Sequence, residues 1–268
     1  MGMRVTIDHT TTYRFAEPIA GGLQELRLTP RDNRGQRVES WTIEVDGGSH
    51  EVDFADHHAN RVTLISLDAG VEHAQVRCTG LVETADTNGV VAAHLGYAPK
   101  WLYERTTELT AAGPGIEALL AAFDHSPADA VGRMHALSAH VRGAVDYDPG
   151  WTDVATTAED ALAAGHGVCQ DHSHLFLAAA RALGMAARYV SGYLVVDGEA
   201  AHAASHAWAE VWIEGLGWLG LDVSNGISPD DRYVRLAVGL DYREAAPVSG
   251  IRFGDGEEAL DVAVQIQQ

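Results

Sequence analysis

The chain has 268 residues, which is long enough to bury a core of its own as one large domain or two small ones. Its 18 Lys and Arg against 38 Asp and Glu give a formal net charge of −20, so nucleic-acid backbones and anionic membrane surfaces would be repelled and we expect neither as a partner. Cys78 and Cys169 form no CxxC pair, no apolar run reaches about 18 residues, and the N-terminus lacks an apolar targeting core, so we expect a cytoplasmic protein in a reducing setting.

Residues 1–83 predict a small antiparallel β domain. Apolar and polar residues mostly alternate in five segments, which are separated by turn clusters such as residues 46–49. The five predicted strands are Arg4–Ile7, Leu23–Leu28, Trp41–Val45, Val62–Ile65 and Ala74–Cys78. Because Cys78 falls in the last of them, we interpret it as a buried and inert thiol.

The alternation weakens between residues 84 and 113, where Asn88-Gly89 and residues 111–115 mark turns. We interpret residues 84–113 as a connector between two domains. The second domain, residues 114–268, would hold the helices and the C-terminal strands.

Two helices are predicted at the start of this second domain. The first has three start signals: Ser126 as N-cap, Pro127 at the first helical position and Asp129 in the first turn. An apolar stripe then runs from Ala130 to Ala144, and the helix is expected to end near Gly143. The second helix follows Thr157, which begins a sequence close to a capping box, and stops at Gly165.

A third helix is predicted to begin near Cys169 and to end at Gly184. Its expected buried side is formed by Leu175, Ala178, Ala179 and Ala182. Strands follow at Ala187–Leu194, Ser205–Ile213, Trp218–Val223, Arg232–Leu236 and Leu260–Ile266. Helices followed by an antiparallel sheet predict an α+β fold for this half.

Three residues in this half have the order expected of a cysteine nucleophile, its base and an orienting acid: Cys169, His206 and Asp222. A thiol in water is mostly protonated at neutral pH, and a helix N-terminus or a neighbouring imidazolium favours the reactive thiolate. Gly165 and Gly167 allow a sharp turn before the thiol and are expected to leave room for substrate beside the sulfur. The Cys169 N–H would serve as one oxyanion donor.

The distance between His206 and Asp222 depends on the register of a predicted hairpin. If residues 213–217 form its loop, Trp212 faces Trp218, and His206 and Asp222 become a diagonal pair on one face, roughly 7–8 Å apart at Cα. A loop one residue longer or shorter would put them on opposite faces.

Two alternatives remain at this point. Each of the three residues, taken alone, is typical of a core thiol, a packed histidine or a turn acid, and the fold could serve a binding module without catalysis. Histidine and acid clusters could also bind zinc: Asp56-His57-His58, Asp171-His172-Ser173-His174, and His202 with His206. His172 and His174 would point to different faces of a helix, so we expect no metal site and no other cofactor.

The chain resembles the bacterial branch of the transglutaminase-like superfamily. The matching segments are Gly167–Asp171, Ala187–Tyr193, Ser205–Val211, Gly217–Asp222, Gly239–Tyr242 and Pro247–Gly250, with residues 1 to about 83 similar to that branch's N-terminal β domain. The resemblance implies a papain-like arrangement of a thiol helix and His and Asp strands, with a small all-β domain in front. It also implies that Cys169 is the nucleophile, His206 the general base and acid, and Asp222 the orienting carboxylate.

Two positions differ from the usual pattern of that family. Asp222-Val223-Ser224-Asn225 replaces Asp-Pro-Thr-Asn and keeps the acid. Gly239-Leu240-Asp241-Tyr242 replaces Gly-Arg-Asp-Tyr and removes a charge that is expected to support the site or a substrate carboxylate, which affects the expected specificity more than the expected activity. The expected function is acyl transfer from an amide or peptide bond through a thioester, with peptidase or amidase hydrolysis favoured. The expected partner is a peptide or protein substrate, and transamidation of protein glutamine by the same triad stays open.

Overall fold

The computed structural model describes residues 2–92, 96–124, 126, 129–196 and 205–267. Strands from both ends of the chain form two four-stranded antiparallel sheets. One sheet has the order β15 (Glu258–Gln267), β1 (Met3–Phe15), β6 (His73–Thr84), β3 (Gln36–Asp46); the other has the order β14 (Val248–Phe253), β2 (Gly21–Thr29), β5 (Arg61–Leu67), β4 (Gly48–Ala55). The inward-facing apolar side chains of both sheets share one core, which makes this part a β-sandwich.

Strand β4 was missed in the sequence. It lies at the edge of its sheet, and nearly all of its residues are exposed, including Val52 and Phe54 at 47% and 42%. An edge strand that buries neither face has no need of the alternating pattern by which the other strands are recognised.

The C-terminal strands complete the sandwich. β15 pairs antiparallel with β1, and β14 pairs antiparallel with β2. The strand predicted at Leu260–Ile266 is therefore present, but it belongs to the sandwich and not to the sheet that follows the helices. Alternation in the sequence identifies a strand without identifying its neighbour. The division at residues 84–113 stays a prediction.

Outside the sandwich, a five-stranded antiparallel sheet that we call the second sheet carries the strands that directly follow the thiol helix. Its five strands have the order β13 (Tyr233–Gly239), β10 (Ala187–Leu194), β11 (Ser205–Ile213), β12 (Gly217–Leu221), β7 (Val90–Ala92). The edge strand β7 comes from the predicted connector. Two short strands, β8 (Asp146–Tyr147) and β9 (His166–Gly167), pair in parallel just before the thiol.

Five α-helices are present in the described part of the chain: α1 (Pro114–Ala121), α2 (Ala130–Arg142), α3 (Ala158–Ala164), α4 (Cys169–Ala182) and α5 (Tyr242–Ala245). Two short 3₁₀ helices cover Lys100–Glu104 and Glu108–Thr110. None of the helices within the described ranges combines the length and the apolar character needed to cross a bilayer.

The start of α2 differs from the prediction. Asp129, not Ser126, is the N-cap: its Oδ1 accepts a hydrogen bond from the Gly132 N–H at 2.7 Å, and the helix begins at Ala130. Pro127 lies outside the described residues. Met134, Leu137 and Val141 of the predicted apolar stripe are buried, whereas its ends differ: Ala130 is exposed and Ala144 is half-buried. The start of α3 after Thr157 is as predicted.

Helix α4 is more buried than the prediction of one apolar side. Every residue from Asp171 to Arg181 is buried, because α2, α3, β10 and β11 pack around the helix. Ala182, predicted on the buried side, is exposed at the last turn. Cys169 therefore lies at the N-terminus of a helix that is packed on all sides.

Candidate active site

Cys169 is the first residue of α4. Gly165 ends α3 in the left-handed region at φ 71°, β9 then pairs with β8, and the chain enters α4 at the half-buried Cys169. The first N–H groups of a helix have no partner within the helix, and its dipole is positive at that end. A thiolate at this position is therefore stabilised by the backbone.

Gly167 makes room for Asp171. A Cβ at Gly167 would lie 2.7 Å from the Asp171 Cβ. The buried Asp171 carboxylate accepts hydrogen bonds from the Val168 N–H at 2.8 Å and from the Thr152 hydroxyl at 2.7 Å. Gly167 was expected to leave room for substrate beside the sulfur. The space beside Gly167 is instead filled by Asp171, which fixes the start of α4.

His206 and Asp222 meet across a hairpin with the predicted register. Trp212 pairs with Trp218, and the His206 Nε2 lies 2.6 Å from the Asp222 Oδ2. His206 also forms a hydrogen bond with the Cys169 side chain. Because Nε2 is hydrogen-bonded to Asp222, the ring nitrogen available to Cys169 is Nδ1. The structure brings the three predicted residues together.

Asp222 has no exposed surface, and three further side chains donate to it. Ser224 donates to Oδ1 at 2.7 Å, and the Asn225 amide and the Tyr233 hydroxyl donate to Oδ2 at 2.7 and 2.8 Å. None of these three roles was predicted from the sequence. Ser224 and Asn225 could have been found as polar residues in a turn directly after the acid, but Tyr233 comes from another strand and left no local signal.

These contacts set the charges of the pair. Burial alone would lower the pKa of His206, but its hydrogen bonds with Asp222 and Cys169 raise it to about 10. Burial would likewise raise the pKa of Asp222, but the His206 contact and the Asn225 and Ser224 donors hold it well below its usual range. At neutral pH, His206 is an imidazolium between the Asp222 carboxylate and the Cys169 sulfur.

Cys169 and His206 open onto a cleft of about 350 Å³ between α4 and the sandwich. Cys78 is fully buried in the sandwich core, and burial raises its pKa to about 12, in keeping with the prediction of an inert thiol. The two cysteines thus differ in both access and environment.

The two histidines of α4, His172 and His174, are buried and hydrogen-bonded to the backbone. Both ring nitrogens of His172 lie 3.0 Å from backbone carbonyls, those of Val168 and Val145. His174 accepts a hydrogen bond from the Tyr242 N–H at 3.1 Å, and burial lowers its pKa to about 3. These contacts assign both histidines to positioning the backbone.

One group of potential metal ligands exists among the described residues, formed by His57, His58 and Glu244 with ligand atoms within 4.8 Å of one another. His58 uses both ring nitrogens in hydrogen bonds, to the Tyr103 hydroxyl at 2.8 Å and to Glu244 at 2.9 Å. These bonds join a sandwich loop to α5 and account for the grouping. His202, considered with His206 as a ligand, lies outside the described residues.

The two departures from the family pattern have separate outcomes. Ser224 supplies a hydroxyl to Asp222, as a threonine at that position could. Leu240 is 7% exposed and packs with Tyr103 and Trp218, and it is not among the described residues that line the Cys169 cleft. The missing charge at Leu240 therefore has no direct bearing on the cleft.

Known proteins are similar to this chain over nearly its whole length. An uncharacterized protein of Mycobacterium leprae is 32% identical over 98% of this chain and 98% of its own length, and one of Mycobacterium tuberculosis strain H37Rv is 28% identical over 98% and 92%. A solved structure from Cytophaga hutchinsonii, described as a candidate cysteine protease, has the same fold, with a TM-score of 0.80 at 20% identity over 100% of this chain and 91% of that chain.

The family matches cover both halves of the chain. Residues 5–83 match the bacterial transglutaminase-like N-terminal region, and residues 117–223 match the transglutaminase-like superfamily. This chain therefore belongs to the transglutaminase-like superfamily, a family of thiol-dependent enzymes, and carries the N-terminal region of its bacterial members.

Proposed function

We propose that this protein hydrolyses an amide or peptide bond through a thioester on Cys169. The observation that carries the proposal is the hydrogen-bonded series from Cys169 through His206 to Asp222, which starts at a helix N-terminus and opens onto a cleft. Each part has a known task in thiol catalysis: nucleophile, proton carrier and orienting acid.

Acylation begins with attack of the Cys169 thiolate on the carbonyl carbon, which forms the C–S bond and an oxyanion. The Cys169 N–H, at the first position of α4, is suited to donate to that oxyanion. The His206 imidazolium then gives its proton to the leaving amine as the C–N bond breaks. The products of this half-reaction are a free amine, a thioester and a neutral imidazole.

Deacylation reverses the role of His206. The neutral imidazole takes a proton from water, the oxygen adds to the thioester carbon, and the C–S bond breaks to release a carboxylic acid and the thiolate. Asp222 keeps the ring oriented through both steps. An amine in place of water would give transamidation by the same steps, so the acceptor has to be identified by experiment.

The first test is the pH dependence of Cys169 alkylation by iodoacetamide, located by mass spectrometry. We expect rapid labelling at pH 6 that falls at least about tenfold in His206→Ala, because the imidazolium that stabilises the thiolate is lost. His50→Ala, at an exposed position in the sandwich, is the matched histidine control, and Cys78 is the internal control.

The second test uses peptide mixtures with and without a primary-amine acceptor, with Cys169→Ser as the blank. Thiol-dependent cleavage supports hydrolysis, whereas amine incorporation without cleavage contradicts it in favour of transamidation. Slow labelling of Cys169 at pH 6 that is unchanged in His206→Ala would instead favour a non-catalytic binding module.

A further inference from the structure

The cleft at Cys169 has two walls of different origin. One wall is formed by the start of α4 together with β10 and β11. The other wall comes from the sandwich, where β1 contributes Thr11 and Tyr13, and β15 contributes Leu260 and Val262. An acyl donor that reaches the thiol therefore lies against strands from both ends of the chain.

The pairing of β15 with β1 sets which side chains face the cleft. Leu260 lies opposite Tyr13 and Val262 opposite Thr11, so residues two apart share one face. Leu260 and Val262 are 57% and 48% exposed, whereas Val264, the next residue on that face, is 6% exposed in the sandwich core. The core of the sandwich thus continues into the cleft as an apolar surface that a ligand can cover.

Apart from His206 and its thiol partner, the cleft is neutral. None of the described residues that line it is Asp, Glu, Lys or Arg, although the chain has a net charge of −20. Burial lowers the pKa of His9 to about 4 and raises the pKa of Tyr13 to about 12, so both are uncharged at neutral pH. A charged substrate side chain would lose its water here without gaining an opposite charge.

We propose that the site selects acyl donors whose side chain beside the attacked carbonyl is apolar, of about the size of leucine or methionine, and packs on Leu260 and Val262. This selectivity rests on the proposed role of Cys169 as nucleophile. The cleft volume of about 350 Å³ lies near the lower end of the range for ligand pockets, about 300–1,000 Å³, and suits one such side chain with its backbone. The sandwich thereby takes part in substrate choice.

The test uses a matched set of N-acetylated aminoacyl chloromethyl ketones with Leu, Met, Asp or Lys side chains. The thiolate displaces chloride and forms a thioether on Cys169, and mass spectrometry gives the rate without any knowledge of the natural substrate. Each rate is divided by the rate of the same ketone with glutathione. We expect the Leu and Met ketones to react at least about tenfold faster than the Asp and Lys ketones, equivalent to about 1.4 kcal/mol.

Charge variants on the sandwich wall test where the side chain packs. Val262→Glu, or Leu260→Glu as a second position, should slow the Leu ketone and raise the relative rate of the Lys ketone by at least about fivefold. Ile251→Glu on β14 is the matched control, because Ile251 is 56% exposed and is not among the described residues that line the cleft. It should keep the wild-type order of rates.

Iodoacetamide separates the two proposals. If it labels Cys169 rapidly at pH 6 while the four ketones react at equal corrected rates, the selectivity is wrong and the nucleophile proposal stands. The packing on β15 is likewise wrong if both Glu variants fold, by circular dichroism, and keep the wild-type order. If iodoacetamide labels Cys169 no faster than Cys78, the proposed function itself is contradicted.

Discussion

At Asp222 a fully buried carboxylate is kept ionised by its neighbours. His206, Ser224, Asn225 and Tyr233 all donate hydrogen bonds to it, and the His206 contact is the shortest of them at 2.6 Å. Hydrogen bonds to a charged acceptor offset the cost of removing it from water. The same carboxylate is the group that favours the proton on His206.

Asp222→Asn removes this charge and keeps a side chain of similar shape. We expect the pKa of His206 to fall by at least about one unit from its value of about 10, because the opposite charge beside the ring is lost. Two-dimensional NMR of labelled histidine would measure it. Asp230→Asn, where the acid pairs with Arg232, is the matched control, and an unchanged His206 titration in Asp222→Asn would contradict the assignment.

The raised pKa of His206 should also make the free energy of unfolding depend on pH. The pKa of His206 is higher in the folded protein, about 10, than its ordinary value of 6.5, so the folded state binds this proton more tightly. Its contribution is complete below about pH 6.5 and is lost as the pH rises through about 10. We expect the difference in unfolding free energy between wild type and His206→Gln, from urea denaturation, to shrink between pH 7 and pH 10. A constant difference would count against the shift.

At the scale of elements, the position of the thiol depends on how α4 begins. Gly167 approaches Asp171 so closely that a methyl group would displace the acid, which holds Val168 and Thr152. The far end of the same helix offers a comparison. Gly184 has φ 77°, and nothing lies within 4 Å of a Cβ built there.

Gly167→Ala should slow Cys169 alkylation at least about fivefold, because moving Asp171 shifts the N-terminus that supports the thiolate. Gly184→Ala should lower the unfolding free energy by about 1 kcal/mol through backbone strain and leave the alkylation rate unchanged. Iodoacetamide kinetics and thermal unfolding would measure the two effects. Equal alkylation rates in both variants would contradict a specific role for Gly167.

The helix starts show which features a sequence carries locally. The starts of α3 after Thr157 and of α4 at Cys169 were predicted, because caps and glycines within a few residues determine them. At α2 the sequence offers two possible N-cap residues three positions apart, Ser126 and Asp129. Ser126 was predicted, but the N-cap is Asp129. The sequence did not contain the geometry by which Asp129 reaches the Gly132 N–H.

Pairing between distant segments could not be predicted in the same way. The facing of His206 and Asp222 followed from a short hairpin loop, which fixes register locally. The contact of Tyr233 with Asp222 and the pairing of β15 with β1 join segments from different strands. The order of these segments in the chain does not predict that they are neighbours in the fold. The role of Leu260 and Val262 on β15 as part of the cleft wall could be recognised only once the partner strand was known.

Across the whole molecule, the second sheet contributes side chains to the core of the sandwich as well as packing on the helices. Tyr193, Val234 and Leu236 of the second sheet pack among the apolar side chains of the sandwich. The Tyr193 hydroxyl also lies 2.6 Å from the His9 Nδ1 on β1. Loss of one sandwich strand is therefore expected to affect both parts.

A chain ending at residue 256 lacks β15 and tests this coupling. We expect the Tm to fall by about 5 °C or more, because the edge of β1 and the packing of Val264 are lost. Differential scanning calorimetry would measure the change, with a chain shortened by Gln268 alone as the control. An unchanged Tm would mean that β15 is not an integral part of the sandwich.

The pairing of β15 with β1 also sets an order of events during synthesis. β1 is synthesised long before its neighbour β15, which spans residues 258–267, so the sheet that contains both is not complete until the thiol helix and the second sheet have already been synthesised. This late strand supplies Leu260 and Val262 to one wall of the Cys169 cleft. Cys169, His206 and Asp222 all precede this strand in the chain, so the cleft wall opposite the thiol is completed only after the whole triad has been synthesised.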